Sequence, residues 1–357
     1  MAPAAAAVVL RRAPPVPRPP PRRAQTPTRA PPQKKTKKNK TKQNSSKVTI
    51  CTKISGPGSL PWIRDGPPSS DAENIRRALD GSLRRLGAAH VDLALLHWPD
   101  RWVPMFGARD YDPATASYAY CRFEEQLDAL GEAVRAGKAR AVGLSNETAW
   151  GVARCAALAE FSSSSSSYPR VAATQNAYSL LCRTPEVAGG VMEACDREGV
   201  ALLAYAPLAA GHLTGKYLPK KKKKKSAQPP PPGPESRLVK YRGRYAEAEA
   251  RYAFGKPGLE DATRAYVGLA RERGLTPAAL ALRFVLSRPG RVVPSAVIGA
   301  TDAAQLEELL DAASGGDGRG GTAAGLGGGC LEDGVGLPPE VLEVIDAIHE
   351  RHPNPLP

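Results

Sequence analysis

From residue 48 onward, short apolar runs alternate with amphipathic stretches of helical period, and this alternation is the βα pattern of a parallel sheet. Strand-like runs occupy 48–53, 91–97, 139–145, 171–176, 200–205 and 295–299. Helical stretches fill 73–87, 123–136, 147–159, 185–198, 261–273 and 303–312; in the first, Ile75, Leu79, Leu83 and Leu86 share one face. Thr276 followed by Pro277 opens one more helix, which stops before Arg288-Pro289. Six strands, each followed by helix, predict an α/β protein, either a (β/α)8 TIM barrel or a doubly wound sheet. No GxGxxG follows an early strand, which favours the barrel.

The formal charge of +15 has to be located before it is interpreted. Of 50 basic residues, 13 lie in residues 1–47, which hold no Asp or Glu, and six form the run Lys220–Lys225. The remainder of the chain carries 31 basic against 35 acidic residues, so the folded part is mildly acidic. Residues 1–47 are Pro, Arg and Lys with few large apolar side chains, and are expected to be disordered. They read as a transit peptide, a basic arm or sequence foreign to the mature protein; a cytosolic location, or a plastid or mitochondrial one if a transit peptide, follows. The Lys run lacks interleaved aromatics, so it is expected to be a solvated loop and not a nucleic-acid site. Two other low-complexity stretches, 162–167 and 315–329, are likewise expected to be loop insertions, and the charged run with its prolines extends over 220–234. No apolar run approaches the roughly 20 residues of a membrane span. The six cysteines show no CxxC or Cys/His spacing, so they are expected to be reduced thiols that bind no metal.

In a TIM barrel, functional groups project from the C-terminal ends of strands, so polar residues that close an apolar run carry weight. The first run closes with Lys53, the second with His97, the third with Ser145-Asn146, the fourth with Gln175 and the fifth with Tyr205. Lys beside His can help hand a proton to a carbonyl oxygen, though Lys53 could also snorkel and His97 could be a core imidazole. Ser145, Asn146 and Gln175 offer hydroxyl and amide groups suited to a carboxamide; for Asn146 the alternative is a helix N-cap. Tyr205 offers a ring on which a flat heterocycle can stack. After the last run, Gly299 turns into a helix whose N-terminus is a potential phosphate site with Thr301; Asp302 and Gln305 fit a capping box.

From residue 48 to the end, the chain resembles the aldo-keto reductases, nearest to the branch with the bacterial Tas proteins and the potassium-channel beta subunits. The matching stretches are TKISGP (52–57), NIRRALDGSLRRLG (74–87), VDLALLHWPDR (91–101), AGKARAVGLSNETAWGV (136–152), TQNAYSLL (174–181), EGVALLAYAPLAAGHLTGKY (198–217) and AVIGATDAAQLEELLDA (296–312). The resemblance implies a TIM barrel that binds NADPH at its C-terminal mouth and moves hydride to or from a small carbonyl or alcohol substrate. By the same resemblance, Lys53 and His97 match two of the family's four catalytic residues. Ser145, Asn146 and Gln175 match the carboxamide site, and Tyr205 the ring that stacks on the nicotinamide. Pro207, Leu208, Ala209, Gly211 and Lys216 match the pyrophosphate segment, and Arg237 an Arg over the cofactor. Gly299, Thr301, Gln305 and Glu308 match the adenosine-phosphate end, where Leu309 replaces the usual Asn of this branch.

The family's first two strands carry its catalytic Asp and Tyr, and residues 1–47 contain neither residue type. The expectation is thus about six of eight barrel strands, with cofactor binding retained and general acid catalysis impaired. A noncatalytic NADPH-binding regulator or sensor is the alternative. The loop after His97, with Trp98, Trp102, Phe106, Tyr111, Tyr118 and Tyr120, is expected to line the substrate pocket and to suit a bulky apolar or aromatic aldehyde or ketone.

Overall fold

A computed structural model describes residues 7–10, 48–56, 69–104, 110–114, 120–162, 168–219, 238, 250–289, 292–322 and 335–357. Its seven strands form one sheet, in which the first pairs with the seventh and the order then runs back one by one to the second. The strands are β1 (Ala7–Leu10), β2 (Cys51–Ile54), β3 (Val91–Leu96), β4 (Ala139–Ser145), β5 (Val171–Ala177), β6 (Ala201–Tyr205) and β7 (Ser295–Ile298). From β2 to β7 each strand pairs in parallel with the next, so the six strands expected from sequence form a curled, open part of a (β/α)8 barrel.

The helices are α1 (Ala72–Leu86), α2 (Phe123–Arg135), α3 (Ala149–Glu160), α4 (Val191–Glu198), α5 (Leu259–Glu272), α6 (Pro277–Leu286), α7 (Ala303–Ala313) and α8 (Pro339–Arg351). Local chemistry sets their ends. Asp71 caps α1 by accepting from the Asn74 amide at 2.8 Å, and left-handed Gly87 closes it. Thr276 caps α6 with Pro277 in its first turn, as the sequence indicated. Ile75, Leu79 and Leu83 on α1 are buried against the sheet, in one core with Val91, Ala94, Val142 and Leu202.

Three features depart from the sequence reading, and one expected loop proves to be hydrogen-bonded to its neighbours. Ala7–Leu10, within the stretch expected to lack structure, form a strand antiparallel to β7, with Ala7 opposite Ile298; the rest of residues 1–47 lies outside the described residues. The helix expected over 185–198 is split into a 3-10 turn, Thr184–Glu186, and α4, because Gly189 takes a left-handed φ of 73°. Helix α8 was not anticipated, although Val341, Ile345 and Ile348 are spaced to line one buried face. Finally, 315–322 is built into the fold. The wholly buried Arg283 donates from Nη1 to the carbonyls of Gly315 (2.7 Å) and Gly316 (3.2 Å), and the Thr276 amide donates to the Asp317 carbonyl at 3.0 Å. The other two expected insertions fall almost wholly outside the described residues. Among the described residues, β2 pairs with β3 alone, and no helix is long and apolar enough to cross a membrane.

Candidate active site

Parallel strands bring their C-terminal ends to one rim, and five of the side chains singled out there meet through hydrogen bonds. Lys53 on β2 reaches across to Gln175 on β5, its Nζ donating to Oε1 at 2.5 Å. The Ser145 hydroxyl donates to the Gln175 carbonyl at 2.9 Å, and the Asn146 amide N–H to the same oxygen at 2.9 Å. Asn146 Nδ2 donates to the His97 carbonyl at 2.9 Å, while its Oδ1 accepts from the Tyr205 hydroxyl at 2.8 Å. The Arg251 Nη1 in turn donates to that hydroxyl at 2.7 Å.

The backbone makes this possible. Between Val142 and Gly143 the register of β4 against β5 shifts, and a Cβ on Gly143 would lie 2.3 Å from the Ala173 carbonyl oxygen, so only glycine fits there. Three residues on, Asn146 sits at φ 54°, a left-handed conformation that Asn tolerates better than most residues. It does not cap the following helix. Thr148 caps α3, accepting from the Gly151 amide at 3.3 Å, which leaves the Asn146 amide on the rim.

Charge at the rim is held in unusual states. Burial pulls the Lys53 ammonium below its ordinary pKa, an effect that nearby Cys51 opposes. Burial, reinforced by the Lys53 charge, lowers the His97 imidazole to about 3, so it is neutral near pH 7. Burial raises the Tyr205 phenol. A neutral imidazole beside a cation can orient and polarise a carbonyl oxygen, whereas the Tyr205 proton is already committed to Asn146.

Two further groups of expected residues lie apart. After β6, Ala206 (φ 54°), Ala209 (φ 48°) and Ala210 (φ 54°) are left-handed, and Leu208 stands at φ −96°, ψ 8°. The Leu208-Ala209 pair has the right-then-left sequence of an anion nest, but the Ala209 amide at its centre donates to the Ala206 carbonyl at 2.8 Å. Pro207, Ala209 and Gly211 are buried and Lys216 is exposed beside them; a Cβ on Gly211 would lie 2.7 Å from Lys216 Cε. At the start of α7 Asp302 caps the helix, accepting from the Gln305 amide at Oδ1 (2.9 Å), while Gln305 Oε1 reaches past the expected capping-box partner to the Thr301 amide and hydroxyl (3.1 Å each). Thr301, Gln305 and Gly299 are exposed, Glu308 is half-buried and Leu309 is buried in the core. Arg237 lies outside the described residues.

The aromatic loop is only partly a pocket wall. Trp98 is buried with its ring 4.4 Å from that of His97, and Trp102 packs on Tyr111 at 5.5 Å. Tyr120 instead lines a cavity of about 320 Å³ with Arg122, Phe123, Glu124, Trp150 and Arg154, a set that includes none of the rim residues above. Phe106 and Tyr118 lie outside the described residues. Among the described residues, no three His, Cys, Asp or Glu side chains cluster as metal ligands.

Sequence reasoning missed Arg101, Glu147 and Arg251. Arg101 holds the buried Glu147 carboxylate through Nη2 at 2.5 Å and Nη1 at 3.1 Å, and so ties the loop after His97 to the turn after Asn146. Its place in the matching stretch 91–101 was the available signal.

Comparison with known proteins identifies the family. Residues 34–314 match the Aldo/keto reductase family. The chain is 40% identical over 275 residues to an aldo-keto reductase of Babesia bovis, covering 74% of this chain and 89% of that one. It is 36% identical over 312 residues to Protein tas of Escherichia coli strain K12, covering 87% and 77%. It is 30% identical over 247 residues to the aldo-keto reductase yakc [NADP(+)] of Schizosaccharomyces pombe, covering 68% and 58%. The six parallel strands, the polar residues at their ends and these matches place the chain in the aldo/keto reductase family.

Proposed function

We propose that these 357 residues bind NADPH along the strand-end rim and act on a small carbonyl compound, with proton transfer as their weak step. The observation that carries the reading is Asn146: released from capping duty, its amide stands beside Ser145, Gln175 and the Tyr205 ring, where a carboxamide and a flat heterocycle could be held together. The turn at Leu208-Ala209 would take a pyrophosphate once the Ala209 amide exchanged its bond to the Ala206 carbonyl, with Lys216 supplying positive charge, and the N-terminus of α7 with Thr301 suits a 2′-phosphate. NADPH, when bound, supplies the hydride. Gln175 would have to exchange its bond from Lys53 for one to the ligand, which frees the Lys53 ammonium to face the substrate oxygen beside neutral His97. NADP in the name of the yakc relative favours the phosphorylated cofactor.

Neither Lys53 nor His97 offers a neutral hydroxyl proton, and the Tyr205 hydroxyl is engaged, so among the described rim residues reduction lacks a general acid worth about 10²–10⁴-fold. The same observation favours the second reading, a cofactor-binding regulator that does not turn over. Titration by nucleotide fluorescence tests the cofactor assignment: NADPH should bind at least about tenfold more tightly than NADH through the helix-terminal phosphate site. Equal affinities would remove Thr301 and α7 from the site.

A further inference from the structure

The last residues of the sequence fold back onto the rim. Leu356 is wholly buried and its amide donates to the Leu181 carbonyl at 3.0 Å, just beyond β5. Asn354, left-handed at φ 43°, accepts at Oδ1 from the Arg183 amide at 2.6 Å, and the Arg183 Nη1 pairs with Asp346 on α8 at 2.6 Å. Pro357 then offers its oxygen to Arg251 Nε at 2.8 Å. Arg251 is 8% exposed, and its Nη1 is the group that donates to the Tyr205 hydroxyl.

A hydroxyl has one proton. With Arg251 donating to its oxygen, Tyr205 has to send that proton elsewhere, and it goes to Asn146 Oδ1. Asn146 is thereby fixed with Oδ1 toward Tyr205 and Nδ2 toward the His97 carbonyl. Nδ2 also reaches the Ser145 hydroxyl at 3.4 Å, so the side-chain amide is held in one sense, and that sense decides the orientation a carboxamide has to take.

We propose that residues 354–357 form a clasp that holds Arg251 against Tyr205 and so sets the Asn146 amide, making Arg251 a positioning residue for the nicotinamide subsite. The proposal rests on the NADPH reading above. Arg251 and Tyr205 then act as one unit, so their removal is not additive.

The test is a cycle of Arg251→Met, Tyr205→Phe and the double variant, with a chain truncated after His352-Pro353 beside them. NADPH dissociation constants are read by fluorescence, and amide hydrogen exchange of the ligand-free proteins is followed over 143–152 and 200–207. Each single variant should raise the dissociation constant about tenfold, the loss expected for a charge-assisted hydrogen bond. The double variant should be no weaker than either single one, and truncation should match Arg251→Met. Wild-type affinity in Arg251→Met, or a double variant weakened by the product of the single effects, overturns the proposal. Should loss of Leu356 unfold the truncated chain, the cycle still decides. A wild-type chain that binds no NADPH would instead overturn the functional reading; the clasp is then judged by exchange alone, and unchanged protection at 143–152 in Arg251→Met overturns it.

Discussion

Arg101 and Glu147 carry more structural weight than their distance from the chemistry suggests. The Glu147 carboxylate is 2% exposed, and the Arg101 guanidinium that neutralises it lies 4.7 Å from the Trp150 ring centre and 5.3 Å from that of Phe123. Removing one member of a buried pair strands the other charge, so Arg101→Met should cost about 3–5 kcal/mol in urea unfolding, and Arg101→Met with Glu147→Leu much less. His97 gives a second expectation. Its folded pKa, about 3, lies below that of the unfolded chain, so its contribution is complete above about pH 6.5 and is lost as pH falls toward 3. Wild type should lose on the order of 2 kcal/mol more than His97→Gln between pH 7 and pH 5; parallel pH profiles would show that the imidazole is not held neutral. Lys53, His97, Gln175 and Tyr205 were legible in the sequence because each closes an apolar run. Arg101, Glu147 and Arg251 were not, because their partners come from distant parts of the chain and no local pattern announces them. Glu147, next to Asn146, simply read as the start of a helix that Thr148 in fact caps.

At the scale of elements, the turn after β4 depends on the absence of a side chain at Gly143. A Cβ there would meet the Ala173 carbonyl oxygen at 2.3 Å and Leu95 Cδ2 at 2.6 Å, and the first of these is backbone that cannot move aside. Gly143→Ala should destabilise by about 1–3 kcal/mol and weaken NADPH binding with it, checked by denaturation and titration of the same sample. A variant as stable and as tight as wild type would show that the shift in β4 does not set Asn146. Strands and most helices were readable from period alone, and the exceptions have local causes. Gly189-Gly190 breaks the stretch expected to be one helix, and Pro338-Pro339 hid the start of α8 although Val341, Ile345 and Ile348 mark its buried face. The glycines at 315–322 read as low complexity because the group that orders them, Arg283, lies elsewhere in the chain.

For the whole molecule, six parallel strands gather the candidate site on one rim while, among the described residues, β2 is left with an unpaired edge next to Lys53. Such an edge invites pairing with another chain, so concentration-dependent association is expected by light scattering; a mass that stays constant on concentration would show the edge to be covered. The function proposed above joins a cofactor site on the rim to the want of a proton donor among the described rim residues. The direct measurement is NADPH oxidation with aromatic aldehydes by this chain and by the same chain carrying a complete family front half before Val48, after both are shown to bind NADPH. Binding should be comparable, with turnover at least about 10²-fold faster in the extended chain. Equal turnover by the two would contradict that proposal.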